Sequence, residues 1–420
     1  MEVVEGLITD GAARAQHAAA EPELFPRLRR RLESEFRQRW ENEWGSRLPT
    51  QGRPAGPDAV RLDGNDYLAL TGHPDIVRAQ VEALRHNREF VVQSVVFHHE
   101  GSRTSRMEAA LASHLGKQRA MLCQSGYAAN LGLLQVIADA DTPVYLDSLA
   151  HMSLWEGVRA AGAPAHAFRH NDPAHFERMA QRHGPGLLIV DSVYSTTGAL
   201  CPLAEMVDVA ERHGCMILVD ESHSLGTHGP QGRGLCAELG LTHRVHFISA
   251  SLAKAFAGRA GMFTVPEALR PFMVAHSYPG IFSSSLLPHE IAGLAATLDV
   301  IRTSDDARTR LRHNTQRMRE SLSGLGYPIH HGSEQIIALE AGTEVDTLKL
   351  RDALEDRGVF GAVFCAPATS RNRAMVRLTL SAGMTGAEMD HVEAVAREIA
   401  PVLKPWDWPI ARRQRARALD

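Results

Sequence analysis

One lysine of this sequence, Lys254, has the surroundings of a residue that does covalent chemistry. It follows a short apolar run at residues 245–249, and its neighbours are Ala, Phe, Leu, Ser and Gly rather than charged residues. In such company an amine is partly desolvated, its pKa falls below the free value of ~10.4, and it can form a Schiff base with a carbonyl group. A lone lysine is more often a residue at the rim of a loop, so the interpretation depends on its partners.

An aspartate at a second strand end is the first such partner. Asp220 closes the run M-I-L-V-D, and a buried carboxylate is ionised only where a cation, such as a pyridinium nitrogen, compensates it. The same residue could instead cap the next helix. Asp220 and Lys254 together, one strand apart at one edge of a sheet, favour pyridoxal phosphate (PLP), which needs a lysine for its aldehyde and an acid for its ring nitrogen.

Backbone N–H groups and hydroxyls near the same edge could hold the phosphate of that cofactor. Ser125, Gly126 and Tyr127 lie where a strand-like run gives way to a helical pattern, and the first N–H groups of a helix bind anions. Ser251 and Ser284 offer further hydroxyl donors, although serines in loops usually have no such role.

Two histidines and one arginine complete the candidate set. His151 follows another strand end and could lie flat against the cofactor ring, and His223 could form a hydrogen bond with the ring hydroxyl. Arg377, within the run M-V-R-L-T-L, is a candidate for bidentate capture of an amino-acid carboxylate. Each residue alone could be structural, but their convergence on one edge favours a site.

Short apolar runs that alternate with helix-length segments must position these residues. The runs lie at 119–123, 144–147, 187–191, 216–220 and 245–249. This alternation predicts an α/β fold with βαβ units and a mostly parallel, buried sheet. Ligands of such sheets bind at the carboxyl ends of the strands, where the candidate residues and the segment 192–195 all lie.

The chain divides into three predicted parts. Residues 1–60 form an N-terminal extension whose first 20 residues are expected to be poorly ordered and whose remainder carries one amphipathic helix. Residues 61–290 form a large cofactor-binding domain, and residues 291–420 form a linking helix and a smaller α+β domain. The apolar stripe of the N-terminal helix recurs every four residues, at Leu28, Leu32, Phe36, Trp40 and Trp44.

Composition excludes several classes of partner. The net charge is −4, with 45 basic and 49 acidic residues among 420, so no overall field attracts nucleic acid or an anionic membrane. A secretory signal is missing, and no apolar run approaches the ~18 residues of a membrane span, which predicts a cytoplasmic enzyme without stable membrane insertion. The five cysteines and 22 histidines lack metal-site spacing, so the cysteines are expected to be reduced and no metal is expected.

Six motifs occur in an order that indicates a known family. They are N-D-Y-L-A-L-T-G-H-P from Asn65, S-G-Y-A-A-N from Ser125, H-M-S-L from His151, V-D-E-S-H-S-L-G from Val219, S-L-A-K from Ser251 and V-R-L-T-L from Val376. Over about residues 62–400 the sequence resembles the α-oxoamine synthases. The resemblance implies a fold-type I PLP-dependent enzyme that condenses an amino acid with an acyl-CoA thioester and works as a homodimer with a shared active site.

Within that family the sequence is most similar to quorum-sensing autoinducer synthases that make α-aminoketone precursors. The segments A-H-M-S-L-W-E-G and S-Y-P-G-I-F-S-S-S-L-L-P carry this likeness. Biotin- and haem-pathway members usually have a glycine-rich segment where this chain has F-H-H-E-G-S-R at 97–103, and an E-G-x-F-S-M-D-G segment where it has D-S-V-Y-S-T-T-G at 191–198. Both departures argue against those housekeeping enzymes.

The resemblance also implies a role for each candidate residue. Lys254 would bind the cofactor aldehyde, Asp220 the ring nitrogen and His223 the ring hydroxyl, while His151 would stack on the ring. The substrate carboxylate would meet Arg377 and Asn65. The remaining cofactor-binding residues would be Ser125, Gly126, Tyr127, Ser195 and Ser251, with Ser284 reaching the phosphate from the second subunit.

The predicted function is the decarboxylative condensation of an amino acid, or S-adenosylmethionine, with a medium-chain acyl-CoA to an α-aminoketone. Another α-oxoamine synthase, making 2-amino-3-ketobutyrate, 5-aminolevulinate or 8-amino-7-oxononanoate, is the alternative within the family. A fold-type I aminotransferase would not consume acyl-CoA. A PLP-sensing regulator would need a DNA-binding module, and the N-terminal 60 residues have too few elements for one.

Overall fold

The computed structural model describes residues 23–86, 92–329 and 332–417. These residues form two β-sheets and a set of helices. The larger sheet has seven strands and the smaller sheet has four within these residues. The strands, in chain order, are β1 (Val60–Leu62), β2 (Arg119–Cys123), β3 (Val144–Asp147), β4 (Ala165–Phe168), β5 (Leu187–Asp191), β6 (Met216–Asp220), β7 (Phe247–Ser251), β8 (Gly261–Val265), β9 (Ile336–Gly342), β10 (Val359–Phe364) and β11 (Ala374–Thr379).

The larger sheet is mostly parallel, which confirms the predicted fold class. Its order is β2-β8-β7-β6-β5-β3-β4, and only β8 runs antiparallel to its neighbours among these strands. Every residue of β5 is buried, and alternate residues enter two different apolar cores, Leu188 and Val190 in one and Leu187 and Ile189 in the other. Burial on both faces explains why the strands read as continuous apolar runs.

α-Helices connect the strands and pack against the sheets. The predicted helix past Pro288 is present, and its apolar positions Ile291, Leu294, Leu298 and Ile301 are buried. The helices are α1 (Pro26–Arg31), α2 (Gln38–Asn42), α3 (Pro74–His86), α4 (Arg103–Leu115), α5 (Gly126–Ile137), α6 (Met152–Ala161), α7 (Pro173–His183), α8 (Leu203–Arg212), α9 (Leu235–Glu238), α10 (Arg270–His276), α11 (Tyr278–Phe282), α12 (Pro288–Arg302), α13 (Asp305–Gly324), α14 (Glu344–Glu355), α15 (Gly386–Leu403) and α16 (Pro409–Arg417).

Two helix caps explain why candidate residues sit at strand-to-helix junctions. Ser125 caps α5, where its side chain accepts a hydrogen bond from the N–H of Ala128 at 3.1 Å. His151 caps α6, where its Nδ1 accepts from the N–H of Ser153 at 3.2 Å. Each cap satisfies an N–H group that has no acceptor within its helix.

The prediction from the sequence did not include two strands of the larger sheet, and it placed a third strand two residues too early. Strand β4 is a partly exposed edge strand with a weak apolar pattern. Strand β8 begins only seven residues after Lys254, so the sequence pattern did not separate it from the loop that carries this lysine. Strand β7 spans Phe247–Ser251 rather than 245–249. Its polar residue Ser249 is buried, so the strand continues past the end of the apolar run.

The smaller sheet joins distant parts of the chain. Its order is β1-β10-β11-β9, with β1 parallel to β10 and the other neighbours antiparallel. Strand β1 thus comes from the residues at the predicted start of the large domain, yet it pairs with a strand near the C-terminus. Both sheets belong to one compact unit, Gly52–Asp420.

The chain up to Gln51 forms a second unit. Its described residues are helical from Pro26 to Asn42, with a π-helical segment, Leu32–Arg37, between α1 and α2. Phe36 of the predicted apolar stripe stacks on Trp40 with 5.7 Å between ring centroids, and 44% of Phe36 is exposed. The prediction for the first 20 residues lies outside the described residues.

Two findings concern membrane-spanning helices and the thiols. Among the helices of the described residues, none combines the length and the apolar character that a membrane crossing requires. The five cysteines are free thiols, and all except Cys365 are buried.

Candidate active site

A cavity of about 290 Å³ lies at the carboxyl ends of the central strands of the larger sheet. The ends of β5, β6 and β7 contribute Asp191, Asp220 and Ser251 to its wall. The structure thereby brings together residues that are far apart in the chain. The candidate residues that line the cavity are Asn65, Ser125, Gly126, Tyr127, His151, Ser195, Asp220, His223, Ser251, Lys254 and Arg377.

Lys254 is the cavity's only lysine among the described residues, three positions beyond the end of β7. Burial lowers the pKa of its amine, nearby Arg377 lowers it further, and Asp220 opposes the shift. The sequence contains four lysines, and the other three lie elsewhere. Lys117 donates to the carbonyl oxygens of Thr242 and Val245, while the last two are exposed on the surface, Lys349 and Lys404.

Asp220 is a buried carboxylate with two hydrogen-bond donors. Its Oδ2 accepts from Asn130 Nδ2 at 2.7 Å, and its Oδ1 accepts from the N–H of Ser222 at 2.8 Å. A turn rather than a helix follows β6, and in the described residues the next α-helix begins at Leu235. The alternative interpretation of Asp220 as a helix cap is therefore wrong.

The neighbouring aspartate, Asp191, has a raised pKa. Asp191 stands opposite Asp220 in the parallel register of β5 and β6. Complete burial, with Asp220 and Asp147 close by, raises the pKa of Asp191 well above its usual range. Asp191 is therefore the partner held neutral, because two adjacent buried carboxylates do not both ionise readily.

A hydrogen-bonded chain links Asp220 to His151. Asn130 Nδ2 also donates to Ser153 Oγ at 2.9 Å, and that hydroxyl lies 2.7 Å from His151 Nδ1. The Ser153 N–H donates to the same nitrogen, so Nδ1 is an acceptor and the proton of the neutral ring belongs on Nε2. Burial lowers the pKa of His151, which keeps the ring neutral.

Arg377 reaches the cavity from β11 of the smaller sheet. Its Nη2 donates to Asn65 Oδ1 at 2.9 Å, and its Nη1 donates to the carbonyl oxygen of Ser195 at 2.8 Å. The guanidinium lies 4.6 Å from the ring centroid of Phe364. Its Nε is buried and has no hydrogen-bond partner in the described part of the chain. An acceptor inside the cavity would satisfy this donor.

Close backbone packing shapes the end of the cavity near α5. A Cβ atom added to Gly126 would lie 2.6 Å from the Cβ of Ser251, and one added to Gly261 would lie 2.1 Å from the Ser125 carbonyl oxygen. Only glycine permits this approach. It places the first N–H groups of α5 beside the Ser251 hydroxyl, which is a suitable arrangement for a phosphate.

Ser284 is the one candidate residue that this chain does not bring to the cavity. Its backbone forms a bridge with Ser94, and its carbonyl oxygen accepts from Gln124 Nε2. The role assigned to it, in the site of a second subunit, stays a prediction.

The sequence interpretation missed several residues of the cavity wall. Asn130 lies four residues after Gly126 on the same face of α5, and Ser153 lies two residues after His151, so their spacing was an available signal. Phe364 gave no signal, because its apolar strand resembles any buried strand. Asp191 also lines the cavity without having been predicted, whereas Val193 and Ser222 lie in segments that the sequence placed at this edge.

These residues fit PLP. An amine of lowered pKa, a buried carboxylate with fixed orientation, a neutral imidazole and a helix start with two hydroxyls surround one cavity. PLP has an aldehyde, a ring nitrogen, a ring face and a phosphate that groups of these kinds could bind.

Replacing Asn130 with alanine is expected to weaken PLP binding about tenfold to a hundredfold, because Asp220 loses a donor to its charged oxygen. The dissociation constant, measured by titration of cofactor-free protein, checks this. Asn314→Ala is the control, since Asn314 Nδ2 donates to the Ser381 carbonyl oxygen at 3.0 Å outside the cavity. Equal affinities of the two variants would contradict the role of Asn130.

Comparisons with known proteins agree with the geometry. The profile of the family described as Aminotransferase class I and II matches residues 57–395. A CAI-1 autoinducer synthase of Vibrio campbellii is 46% identical over 347 residues, which are 83% of this chain and 88% of that protein. An 8-amino-7-oxononanoate synthase of Anaeromyxobacter dehalogenans is 31% identical over 369 residues, covering 86% and 93% of the two chains.

A solved structure of similar fold carries the predicted cofactor. A serine palmitoyltransferase from S. paucimobilis with bound PLP matches with a TM-score of 0.79 and 26% sequence identity, covering 82% of this chain and 88% of that one. The predicted family and cofactor are confirmed. The chain belongs to the class I and II aminotransferase family, and within it to the α-oxoamine synthases, which are PLP-dependent acyltransferases.

Proposed function

We propose that this enzyme condenses an α-amino acid, or S-adenosylmethionine, with a medium-chain acyl-CoA in the cytoplasm. Carbon dioxide and coenzyme A leave, and the product is an α-aminoketone that serves as the precursor of a quorum-sensing autoinducer. The name of the Vibrio campbellii relative, which shares 46% of its aligned residues with this chain, supports autoinducer synthesis.

The observation that carries the proposal is the unpaired Nε of Arg377. Arg377 lines the cavity that also holds Lys254. Its Nε is a buried donor without a partner among the described residues, and leaving it unsatisfied costs free energy. A substrate carboxylate would accept from Nε and from the remaining guanidinium hydrogens. Asn65 and Ser195 hold the guanidinium in place through their oxygen atoms.

Four side chains would hold the cofactor in this site. Lys254 Nζ would bond to its aldehyde carbon, Asp220 would pair with its ring nitrogen, His151 would lie against its ring, and His223 would meet its ring hydroxyl. When bound, PLP supplies a conjugated electron sink for the Cα atom of the amino acid. Ser125, Gly126, Tyr127 and Ser251 would surround the phosphate, with Ser284 of a second copy completing a shared site in a homodimer.

Lys254 would then act as the base, after the amino group of the substrate has replaced its Nζ at the aldehyde carbon and freed the amine. Its lowered pKa increases the fraction of neutral amine, which takes the Cα proton of the bound amino acid. Asp220 would pair with the protonated ring nitrogen, and the donors Asn130 and Ser222 fix the orientation of its carboxyl group. Arg377 orients the substrate carboxylate, so that the same residue positions the group that leaves as carbon dioxide.

Mass spectrometry of the products tests the proposal. The holoenzyme is supplied with a panel of amino acids, S-adenosylmethionine included, and with acyl-CoA thioesters from acetyl to dodecanoyl. An α-aminoketone of medium chain length, formed together with free coenzyme A, is expected. Amino-group transfer without release of coenzyme A would refute the condensation.

A second candidate is an α-oxoamine synthase of another pathway, such as the 8-amino-7-oxononanoate synthase type. The Anaeromyxobacter dehalogenans relative, at 31% identity, favours it. The segments 97–103 and 191–198 depart from the pattern of those enzymes and favour the autoinducer type. In the same product assay, condensation restricted to other acyl thioesters would decide for the second candidate.

Replacing Arg377 with lysine is expected to raise KM for the amino acid about tenfold to a hundredfold, with a smaller change in kcat. Lysine keeps the charge but loses the planar fork that binds a carboxylate with two hydrogen bonds. Arg373→Lys is the control, because Arg373 pairs with Glu340 at 2.8 Å and does not line the cavity. An unchanged KM in the Arg377 variant would show that Arg377 does not bind the substrate carboxylate.

A further inference from the structure

Tyr67 contacts His223, one of the residues that line the cavity. The tyrosine is fully buried, and its hydroxyl forms a hydrogen bond with His223 Nδ1. Tyr67 is not part of the cavity wall, whereas His223 is. The contact therefore acts on the site through the histidine.

His223 is neutral in these surroundings. Complete burial, followed by the positive charges of Lys254 and Arg377, lowers its pKa well below the usual range. A neutral imidazole carries one proton, so one ring nitrogen donates and the other accepts. The partner of Nδ1 decides which nitrogen donates.

The hydroxyl proton of Tyr67 has two possible acceptors. One is His223 Nδ1, and the other is Asn65 Oδ1 at 3.5 Å, the longer of the two contacts. Arg377 Nη2 already donates to Asn65 Oδ1 at 2.9 Å, which satisfies one lone pair of that oxygen. An O···O distance of 3.5 Å is beyond the usual range of a hydrogen bond, so His223 Nδ1 is the acceptor that remains for the Tyr67 proton. Burial raises the pKa of Tyr67, so the hydroxyl stays protonated.

We propose that Tyr67 is a positioning residue that holds His223 as the tautomer with its proton on Nε2. This inference rests on the position proposed above for His223 beside the ring hydroxyl of PLP. The described residues supply a partner for Nδ1 only, so the Nε2–H group is available as a donor to the ring oxygen. The opposite tautomer would present a lone pair to that oxygen and repel it.

The experiment compares the full-length wild-type protein with Tyr67→Phe, which removes only the hydroxyl. Histidine is labelled with ¹⁵N, and the imidazole nitrogen signals are recorded with and without added PLP. His223→Gln identifies the signals of His223 among the 22 histidines. We expect the Nε2–H tautomer in the wild type and a mixture of tautomers in Tyr67→Phe.

Cofactor affinity gives a second readout. Tyr67→Phe and His223→Gln are each expected to weaken PLP binding about tenfold, the size of one hydrogen bond to a charged group. The double variant is expected to bind no more weakly than His223→Gln alone, because both changes remove the same donor. Tyr327→Phe is the control, since its hydroxyl donates to the Ala396 carbonyl oxygen at 2.9 Å outside the cavity, and its affinity should equal that of the wild type.

Several results would overturn the inference. An Nδ1–H tautomer in the wild type would do so without any substitution, so the test does not depend on the folding of a variant. Unchanged tautomer and affinity in Tyr67→Phe, or additive losses in the double variant, would also overturn it. None of these measurements uses an amino acid or an acyl-CoA, so they are independent of the proposed substrates.

Discussion

Replacing Lys254 with alanine is expected to lower turnover by roughly 10⁴-fold or more and to abolish the visible absorbance of covalently held cofactor. The variant loses both the amine that bonds to the cofactor aldehyde and the base that removes the Cα proton, and each effect alone is large. Absorbance spectra and single-turnover rates of the purified variant measure the two losses. A variant that keeps the wild-type spectrum would contradict the assignment.

Chemical labelling locates the bond independently of turnover. Reduction of the wild-type holoenzyme with borohydride should attach the cofactor permanently to one of the four lysines. Mass spectrometry of a digest is expected to find it on Lys254. Lys117 is the internal control, since burial also lowers its pKa but its amine donates to two backbone carbonyl oxygens and lies outside the cavity. A label on Lys117 would show that a low pKa, rather than the cavity, selects the lysine.

Replacing Asp220 with asparagine is expected to lower kcat/KM for the condensation about a thousandfold. The substitution keeps the size of the side chain and removes the charge that compensates a protonated ring nitrogen, and breaking such a buried pair costs about 3–5 kcal/mol. The cofactor should still bond to Lys254, so the variant separates ring protonation from cofactor capture. Steady-state kinetics and absorbance spectra measure the two properties.

Asp191→Asn is the matched control for Asp220→Asn. The two aspartates stand opposite each other on adjacent strands, and both line the cavity. Because burial raises the pKa of Asp191, asparagine replaces a side chain that is already neutral, and its oxygen can still accept from the N–H of His151. For Asp191→Asn, kcat/KM for the condensation is expected to fall about tenfold at most. A larger fall in kcat/KM for Asp191→Asn than for Asp220→Asn would indicate that Asp191, rather than Asp220, is the partner of the ring nitrogen.

Much of the active site could be predicted from local sequence. Lys254, Asp220, His151 and Ser125 each follow a buried strand, and polar residues at that point are conspicuous against an apolar run. The parallel sheet then requires their convergence, because its strand ends meet at one edge. The chemistry of PLP reduced the choice further, since it needs an amine and an acid together.

The positions of Arg377 and Asn65 depend on the smaller sheet. Strand β1 pairs with β10 across about 300 residues of chain, and β11, which carries Arg377, joins the same sheet. Local periodicity contains no information about such pairings, because backbone hydrogen bonds do not depend on sequence distance. The residue type made Arg377 a candidate for carboxylate binding, whereas Asn65 was indicated only by the family resemblance.

The residues that support the site were decided by tertiary structure alone. Tyr67, Asn130 and Phe364 contact His223, Asp220 and Arg377 respectively. Only Asn130 had a local signal, its position four residues after Gly126, and that signal does not name its partner. Their function depends on which atoms they face after folding. The same holds for Asp191, whose pKa is raised by the burial that only the folded chain provides.

The sequence by itself determined the parallel sheet, the cofactor and the lysine that would hold it. Strands whose apolar runs must be buried on both faces can pack in few ways, and a parallel sheet covered by helices is one of them. The residues that follow such strands then lie together at the carboxyl edge of the sheet. Only the tertiary structure decided hydrogen-bond partners, tautomers and the unpaired Nε of Arg377. These properties arise from contacts between segments that are distant in the chain. In a buried site, a polar group with a partner is stabilised and one without a partner costs free energy.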